Sequence, residues 1–529
     1  MRKYLHFLIL FLTLIAILNS CEDQKFGRDD NNKFYNYITI DGKIFKDGKK
    51  DFYPMGINYS VDVVKNDEKV FLTPRSNYHP KFGEEEGKSF SPWGEDSSKT
   101  HAIIKSHFLS IKDMGFNMIR LTGFTTTDGY DGGFHTWSNL DVSNSEEGNK
   151  NIEQKIIPLL KMLLKYAEEA NLRVMLLISA IETQPENQLN YYSKIAAALK
   201  NEKALFTYDL YNEPIYFDKG NYTKKETTEF VKSYNKAIKN NAPNHLTTIG
   251  LSHYKIVNEW DPELMDVDFL AFHIYPYGSK NLSILERYEA KLYWISNTIT
   301  KPWIIGETGL NTAENCEPLN FSWGNYNDQL YFMKYSLEKT KESGGSGYTW
   351  WNFQDTKNYP GQIFGTCTVS DYGLVNRKEN TFYLNSNGDT ILGELKHQLT
   401  DLPFKKFANE RSYNKRKRTQ KIKKIDSVYY NIDYIPANEI ATGKVVDKNN
   451  KPIENAIVTL HNTISKATYT TFTKKDGTFK LSTGWTNVFK HLEFKIKVTA
   501  VRMGTKEIPL KEIYKGNDNN FETIQLDKY

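Results

Sequence analysis

Two glutamates close short apolar runs: Glu213 ends LFTYDLYNEP and Glu307 ends WIIGETG. A pair of carboxyls held close together can divide its labour. One serves as proton donor and acceptor and the other as nucleophile, provided their surroundings separate their pKa values. Comparable runs carry Arg120 in GFNMIRLTGF, Asn212 beside Glu213, His273 and Tyr275 in FHIYPY, and Trp351 in YTWWNFQD, with Trp350 as the alternative to Trp351. Taken singly, each has a plain structural reading: Glu213 before Pro214 as a loop acid, Arg120 as a surface-pair cation, His273 as a core histidine. Each of these residues lies within or closes an apolar run, in order along the chain.

The elements that would position them follow from the pattern of apolar residues. From about Phe34 the chain alternates short apolar runs with longer amphipathic stretches, the form of repeated βα units around a parallel sheet. Eight candidate strands are Phe52 to Asn58, Met118 to Thr122, Arg173 to Ile178, Leu205 to Leu210, Leu246 to Leu251, Phe269 to Ile274, Trp303 to Gly306 and Gly347 to Trp351. Between them, Lys155 to Ala170 places Ile156, Leu159, Leu160, Leu163 and Leu164 on one helical face. The pattern predicts an α/β fold, a (β/α)8 barrel over residues 34–404, with a Gly-, Glu- and Ser-rich insertion from Asn66 to Lys99. In such a barrel the reactive groups gather at the C-terminal ends of the strands, where Glu213 and Glu307 lie.

With these motifs in strand order, the chain over roughly residues 34 to 400 resembles the glycoside hydrolases of the (β/α)8 clan that includes the family 5 cellulases and mannanases. The resemblance implies Glu213 on strand four as acid/base and Glu307 on strand seven as nucleophile. It implies Arg120 on strand two as the cation that keeps the nucleophile ionised, and His273 and Tyr275 beside the reacting sugar. Asn212 would hydrogen-bond the sugar 2-hydroxyl and Trp351 would form a platform under the ring. The implied activity is that of an O-glycosyl hydrolase of cellulase or endo-mannanase type. It would act on β-linked hexose polysaccharide or oligosaccharide by double displacement, with no cofactor and no metal. Trp93, Trp137, Trp323 and Tyr359 are further candidates for sugar platforms or for ordinary packing. Strand three, RVMLLISAIET, lacks the His that many family 5 cellulases carry there, which leaves the polymer open. An exo-acting β-glycosidase and a non-catalytic surface glycan-binding protein are the competing expectations.

The ends of the chain read differently. Arg2 and Lys3 precede an apolar run from Leu5 to Leu18, too short to cross a hydrocarbon core of about 30 Å comfortably. LNSC, ending in Cys21, resembles a bacterial lipobox, which implies a signal peptide over 1–20, a lipidated Cys21 and a polar tether over 21–33. The corresponding location is an outer membrane, facing the periplasm or the surface. Cys316 and Cys367 are then left either to pair or to remain as thiols.

Residues 405–434 form a basic linker, with ten Lys or Arg against one acid between Lys405 and Lys424. The net charge of the whole chain, +5, is concentrated there and at Arg2 and Lys3. The remainder is net acidic, which argues against a nucleic-acid partner. Over 435–529 short β runs alternate with turns, which predicts a small all-β immunoglobulin-like sandwich. GKVVDKNNKPIENAIVTL followed by TKKDGTFKL resembles the carboxypeptidase-regulatory-like module, which implies a spacer or binding accessory.

Overall fold

A computed structural model of the chain describes residues 34–405 and 439–529, outside 67–68, 75–96, 125–139, 179–184, 215–221, 253, 277–283, 313–322, 356–362, 365–366, 369–371, 377–381, 385–389, 393, 463–467, 484–493 and 514–519. Cys21 with the leader and tether, the basic segment beyond Lys405, Trp93, Trp137, Tyr359 and Cys316 lie outside the described residues.

Eight parallel strands close into a barrel: Met55–Asn66, Met118–Thr122, Arg173–Leu177, Leu205–Asn212, Leu246–Leu251, Leu270–His273, Trp303–Thr308 and Tyr348–Trp350, called strands one to eight below. Strand eight pairs with strand one, Tyr348 opposite Met55, and so closes the circle. Every residue of strands two to eight is buried. Each strand faces the barrel interior on one side and the ring of helices on the other, which explains why these runs read as continuously apolar rather than alternating.

The helix expected over Lys155 to Ala170 is present as Ile157–Glu169, entered through a wide turn at Ile152–Ile156 with Pro158 in its first turn. Leu159, Leu160, Leu163 and Leu164 are its buried face. The helix after strand four, Lys224–Asn241, opens on a capping box in which Thr223 and Glu226 satisfy each other's backbone N–H groups.

Two expectations need correction. The apolar pattern starts the first barrel strand at Phe52, but Phe52 belongs to a three-stranded antiparallel sheet formed with Ile38–Asp41 and Ile44–Asp47. This sheet plugs the N-terminal end of the barrel, where the Phe45 ring meets Phe206 and Phe269 edge-on at 5.2 and 5.0 Å. The insertion after strand one also begins later than Asn66. Strand one runs to Asn66 and doubles back as Lys69–Pro74, with Val61 opposite Pro74, and Val61, Val63, Phe71 and Leu72 are all buried there.

The C-terminal module is a sandwich of two sheets. One holds Thr478–Thr483, Glu439–Asp447 and Ile524–Leu526, and the other holds Thr468–Phe472, Ile457–Asn462, Phe494–Thr499 and Thr505–Pro509. Val445, Val458, Leu460, Phe479, Leu481, Ile496 and Val498 fill the space between them. Each of the two quoted segments contains a turn: Asp447 Oδ1 accepts the N–H groups of Asn449 and Lys451, and Gly477 takes φ +77°.

Candidate active site

Arg120 is the centre from which the site is built. It leaves strand two fully buried inside the barrel. Its Nε donates to Asp209 Oδ2 (2.8 Å), Nη2 donates to Asn212 Oδ1 (2.8 Å), and Nη1 donates to Asn58 Oδ1 (3.0 Å) and Glu307 Oε1 (2.5 Å). A planar guanidinium with donors in a fixed fork can tie four strands together in this way, which an ammonium cannot. Burial pulls the Arg120 pKa down, but Asp209 and Glu307 outweigh it and hold the group protonated.

Strand four presents Glu213 through a local irregularity. Its register against strand five shifts between Asp209 and Asn212, so that Asn212 comes to lie opposite Gly250. The next residue, Glu213, adopts a left-handed backbone with φ +45°, anchored by its N–H to Gly250 O at 2.9 Å. A non-glycine residue in this region costs of order 1–3 kcal/mol and persists only where the surroundings dictate it. The bulge is what aims Glu213 across the barrel mouth instead of along the strand.

Glu307, from strand seven, His273, the last residue of strand six, and Tyr275 just beyond it meet Glu213 there. His273 Nδ1 is 2.8 Å from Glu213 Oε1 and 3.5 Å from Glu307 Oε1. Tyr275 Oη donates to Glu307 Oε2 at 2.8 Å. Two glycines shape the slot for the imidazole. A Cβ on Gly250 would come within 2.8 Å of His273 Nε2, and one on Gly306 within 2.9 Å of its Cδ2. Burial lowers the His273 pKa to about 4, so the ring is neutral at pH 7. Its bond to Glu213 therefore follows the state of that carboxyl: the acid donates to Nδ1, and the carboxylate accepts from it.

The two carboxyls differ in what stabilises their charge. Burial raises Glu213 to about 7, with Arg120 only partly opposing. Burial pushes Glu307 up as well, against His273, Arg120 and the Tyr275 hydroxyl. Glu307 has a guanidinium and a phenol in direct contact and Glu213 has neither, so a single shared proton resides on Glu213.

Glu213, His273 and Glu307 each offer a donor atom within 4.8 Å of the others, a spacing compatible with a cation. Both Glu307 oxygens are already engaged, Oε1 by Arg120 at 2.5 Å and Oε2 by the Tyr275 hydroxyl at 2.8 Å. A divalent ion there would face the guanidinium charge at close range.

Strand eight resolves the tryptophan pair. Trp350 is fully buried, its indole N–H donating to Tyr372 O (3.2 Å) and its ring 6.3 Å from Phe332 on the outer helix Tyr326–Glu342. Trp351, just beyond the end of strand eight, is half-buried, and its backbone N–H donates to Thr308 O beside Glu307. The structure thus brings Arg120, Asn212, Tyr275 and Glu307 into one hydrogen-bonded group, with the Glu213–His273 pair 3.5 Å from it and Trp351 adjoining. Trp323 lies in a two-residue strand paired with Asn311, and Cys367 in one paired with Phe364.

Sequence reading missed Asn58 and Asp209. Asn58 also bridges strands seven and eight through Gly306 O (3.3 Å) and Trp350 O (3.1 Å). Both residues carried a usable signal, being polar side chains inside runs that are otherwise buried and apolar, and a buried polar group needs partners.

The family model for cellulases, glycosyl hydrolase family 5, matches residues 75–357. Among solved structures, a β-glucuronidase from Ruminococcus gnavus in complex with D-glucuronic acid is 14% identical, with a TM-score of 0.43, covering 70% of this chain and 51% of that one. A GH2 β-galacturonidase from Eisenbergiella tayi bound to galacturonate is 14% identical (TM-score 0.44; 70% and 55%). Bacteroides uniformis β-glucuronidase 2, covalently bound to cyclophellitol-6-carboxylate aziridine, is 13% identical (TM-score 0.46; 93% and 48%). The chain spans about half the length of these structures. No curated protein matches it. A closed barrel of eight parallel strands, together with a family match over more than half of the 529 residues, establishes that the chain belongs to glycosyl hydrolase family 5, the cellulase family.

Proposed function

We propose that this glycoside hydrolase cleaves a β-linked hexose polysaccharide or oligosaccharide, of mannan or glucan type, with retention of anomeric configuration. Glu307 is the nucleophile and Glu213 the acid/base. The observation that carries the reading is the spacing of the two carboxyls, which have oxygens within 4.8 Å of one another. Carboxyls about 5–5.5 Å apart suit double displacement, whereas single displacement needs about 6.5–9.5 Å to admit a water between them and the sugar.

In the first step Glu307 attacks the anomeric carbon while protonated Glu213 gives its proton to the departing glycosidic oxygen. A glycosyl ester on Glu307 and a Glu213 carboxylate remain. In the second step that carboxylate takes a proton from water, the hydroxide oxygen bonds to the anomeric carbon, and Glu307 departs. Arg120 and Tyr275 stabilise Glu307 as it enters and leaves as an anion. Arg120 engages the Asn212 carbonyl oxygen, so the Asn212 amide keeps its NH2 as donor for a sugar 2-hydroxyl. Trp351 supports the ring at the mouth.

The sequence of the first 21 residues further supports a lipid on Cys21 and an outer-membrane location. Metabolic labelling with an alkynyl fatty acid, present in wild type and lost in Cys21→Ala, would test it.

The test of the activity is a panel of mannans and β-glucans with product sizing and NMR of the first-formed anomer. Retained configuration and oligosaccharide products are expected. Monosaccharide alone would assign an exo mode. A wild type inert on the whole panel, or a Glu307→Ala variant as active as wild type, would overturn the catalytic reading.

A further inference from the structure

We propose that the C-terminal sandwich is a docked part of the hydrolase rather than a spacer, and that Lys224 and Asp261 are positioning residues through which it braces the end of strand four. The second part rests on the reading of Glu213 as acid/base.

The contact is polar, buried and specific. The Lys224 side chain, at the start of the helix that follows Glu213, is almost completely buried and donates to three acceptors. These are Asp261 Oδ2 (3.0 Å) in the barrel and the carbonyls of Ala500 (2.9 Å) and Met503 (2.7 Å) in the sandwich. All three ammonium donors are thereby used. Asp261, itself fully buried, accepts the Arg502 N–H at 2.7 Å from the same sandwich turn. The turn is shaped for this. Met503 N–H returns to Ala500 O, and Arg502 takes φ +61°, which points its N–H at Asp261 and turns the two carbonyls towards Lys224. The Arg502 guanidinium then pairs with Glu263 at 2.7 Å.

A second, independent contact lies on the helix Ile284–Thr298. Trp294 is fully buried, donates its indole N–H to Asn455 O (3.1 Å), and packs against Phe472 at 6.1 Å. Asn455, like Arg502, is a non-glycine residue with positive φ (+60°), and Ile457 and Phe472 belong to the barrel's apolar cluster rather than to the sandwich's own. A freely tethered module has no reason to hold two such turns against a neighbour.

The route to the site is short. Trp260, next to Asp261, is buried with its ring 5.6 Å from Tyr211, two residues before Glu213. Thr227, one turn beyond Lys224, donates to Glu259 O at 2.6 Å. Lys224 therefore ties the start of its helix to the segment that backs the bulge, and its remaining two bonds go to the sandwich. Misplacing a reacting group by about an ångström costs on the order of a hundredfold in rate.

The test uses the full chain. Calorimetry is expected to show barrel and sandwich melting in one transition, lowered as a unit by Lys224→Met. Two separable transitions would overturn the docking. On an active substrate, Lys224→Met is expected to lower kcat about tenfold with KM within about twofold and to shift the basic limb of the pH profile, with Lys224→Arg restoring most of both. A reduced folded fraction alone cannot move a pH limb.

Should Lys224→Met fail to fold, Arg502→Ala loosens the same contact from its exposed rim and should lower kcat in the same sense. Unchanged kcat and unchanged pH limbs in a folded variant would overturn the positioning role. The outcomes separate cleanly: an active wild type whose kcat survives Lys224→Met sinks this proposal alone, whereas an inert wild type sinks the catalytic reading and with it the positioning role.

Discussion

The imidazole Nδ1 of His273 lies 2.8 Å from Glu213 Oε1, in a slot whose walls are the Cα atoms of Gly250 and Gly306. His273 Nε2 is buried without a hydrogen-bond partner among the described residues, so the ring is held from that side by shape alone. Gly250→Ala, with a Cβ 2.8 Å from that nitrogen, should push the ring off Glu213. Loss of a hydrogen bond between neutral groups corresponds to roughly 0.5–1.5 kcal/mol, or about 2- to 12-fold in kcat/KM, which steady-state kinetics will read.

Glu213, raised by burial to about 7, must be protonated in the free enzyme to act as an acid. The basic limb of kcat/KM should therefore fall as pH rises through about 7. The same shift has a stability consequence. The ordinary value is 4.5 and the folded value is higher, so the unfolded chain releases this proton first. The stability the protonated form contributes is complete below about 4.5 and is lost as pH rises through about 7, on the order of 3 kcal/mol. Glu213→Gln should abolish activity, and its Tm advantage over wild type should be larger at pH 8.5 than at pH 5.

Tyr275→Phe removes the hydroxyl that donates to Glu307 Oε2. That hydroxyl lowers the Glu307 pKa, so its loss raises it and moves the acidic limb of kcat/KM to higher pH. The loss in kcat should be about 10- to 100-fold, since hydrogen bonds to charged groups are worth roughly 1.5–3 kcal/mol. An acidic limb that stays in place would remove Tyr275 from this role.

Asp209→Asn tests the other side of Arg120. The guanidinium now divides its charge between Asp209 and Glu307. With Asp209 neutral, Glu307 becomes its main counter-ion, and the acidic limb should move to lower pH, opposite to Tyr275→Phe. Removing one partner of a buried pair costs roughly 3–5 kcal/mol. Arg120 keeps Glu307, so chemical denaturation should report the low end of that range.

The sequence by itself determined the order of the eight strands, seven of them to within two residues at either end, and the two glutamates at the ends of strands four and seven. Both are local properties. A strand buried on two faces must be an unbroken apolar run, and an acid at its end has a recognisable place in a barrel. Tertiary structure alone decided that Trp350 is fully buried whereas Trp351 is not, that Asn58 and Asp209 complete the grip on Arg120, and that a bulge turns Glu213 inward. The bond from Arg120 to Glu307 spans 187 residues and that from Lys224 to Met503 spans 279. A buried charge or polar group is viable only when distant parts of the chain supply its partners, and no local pattern of residue types records which partners those are.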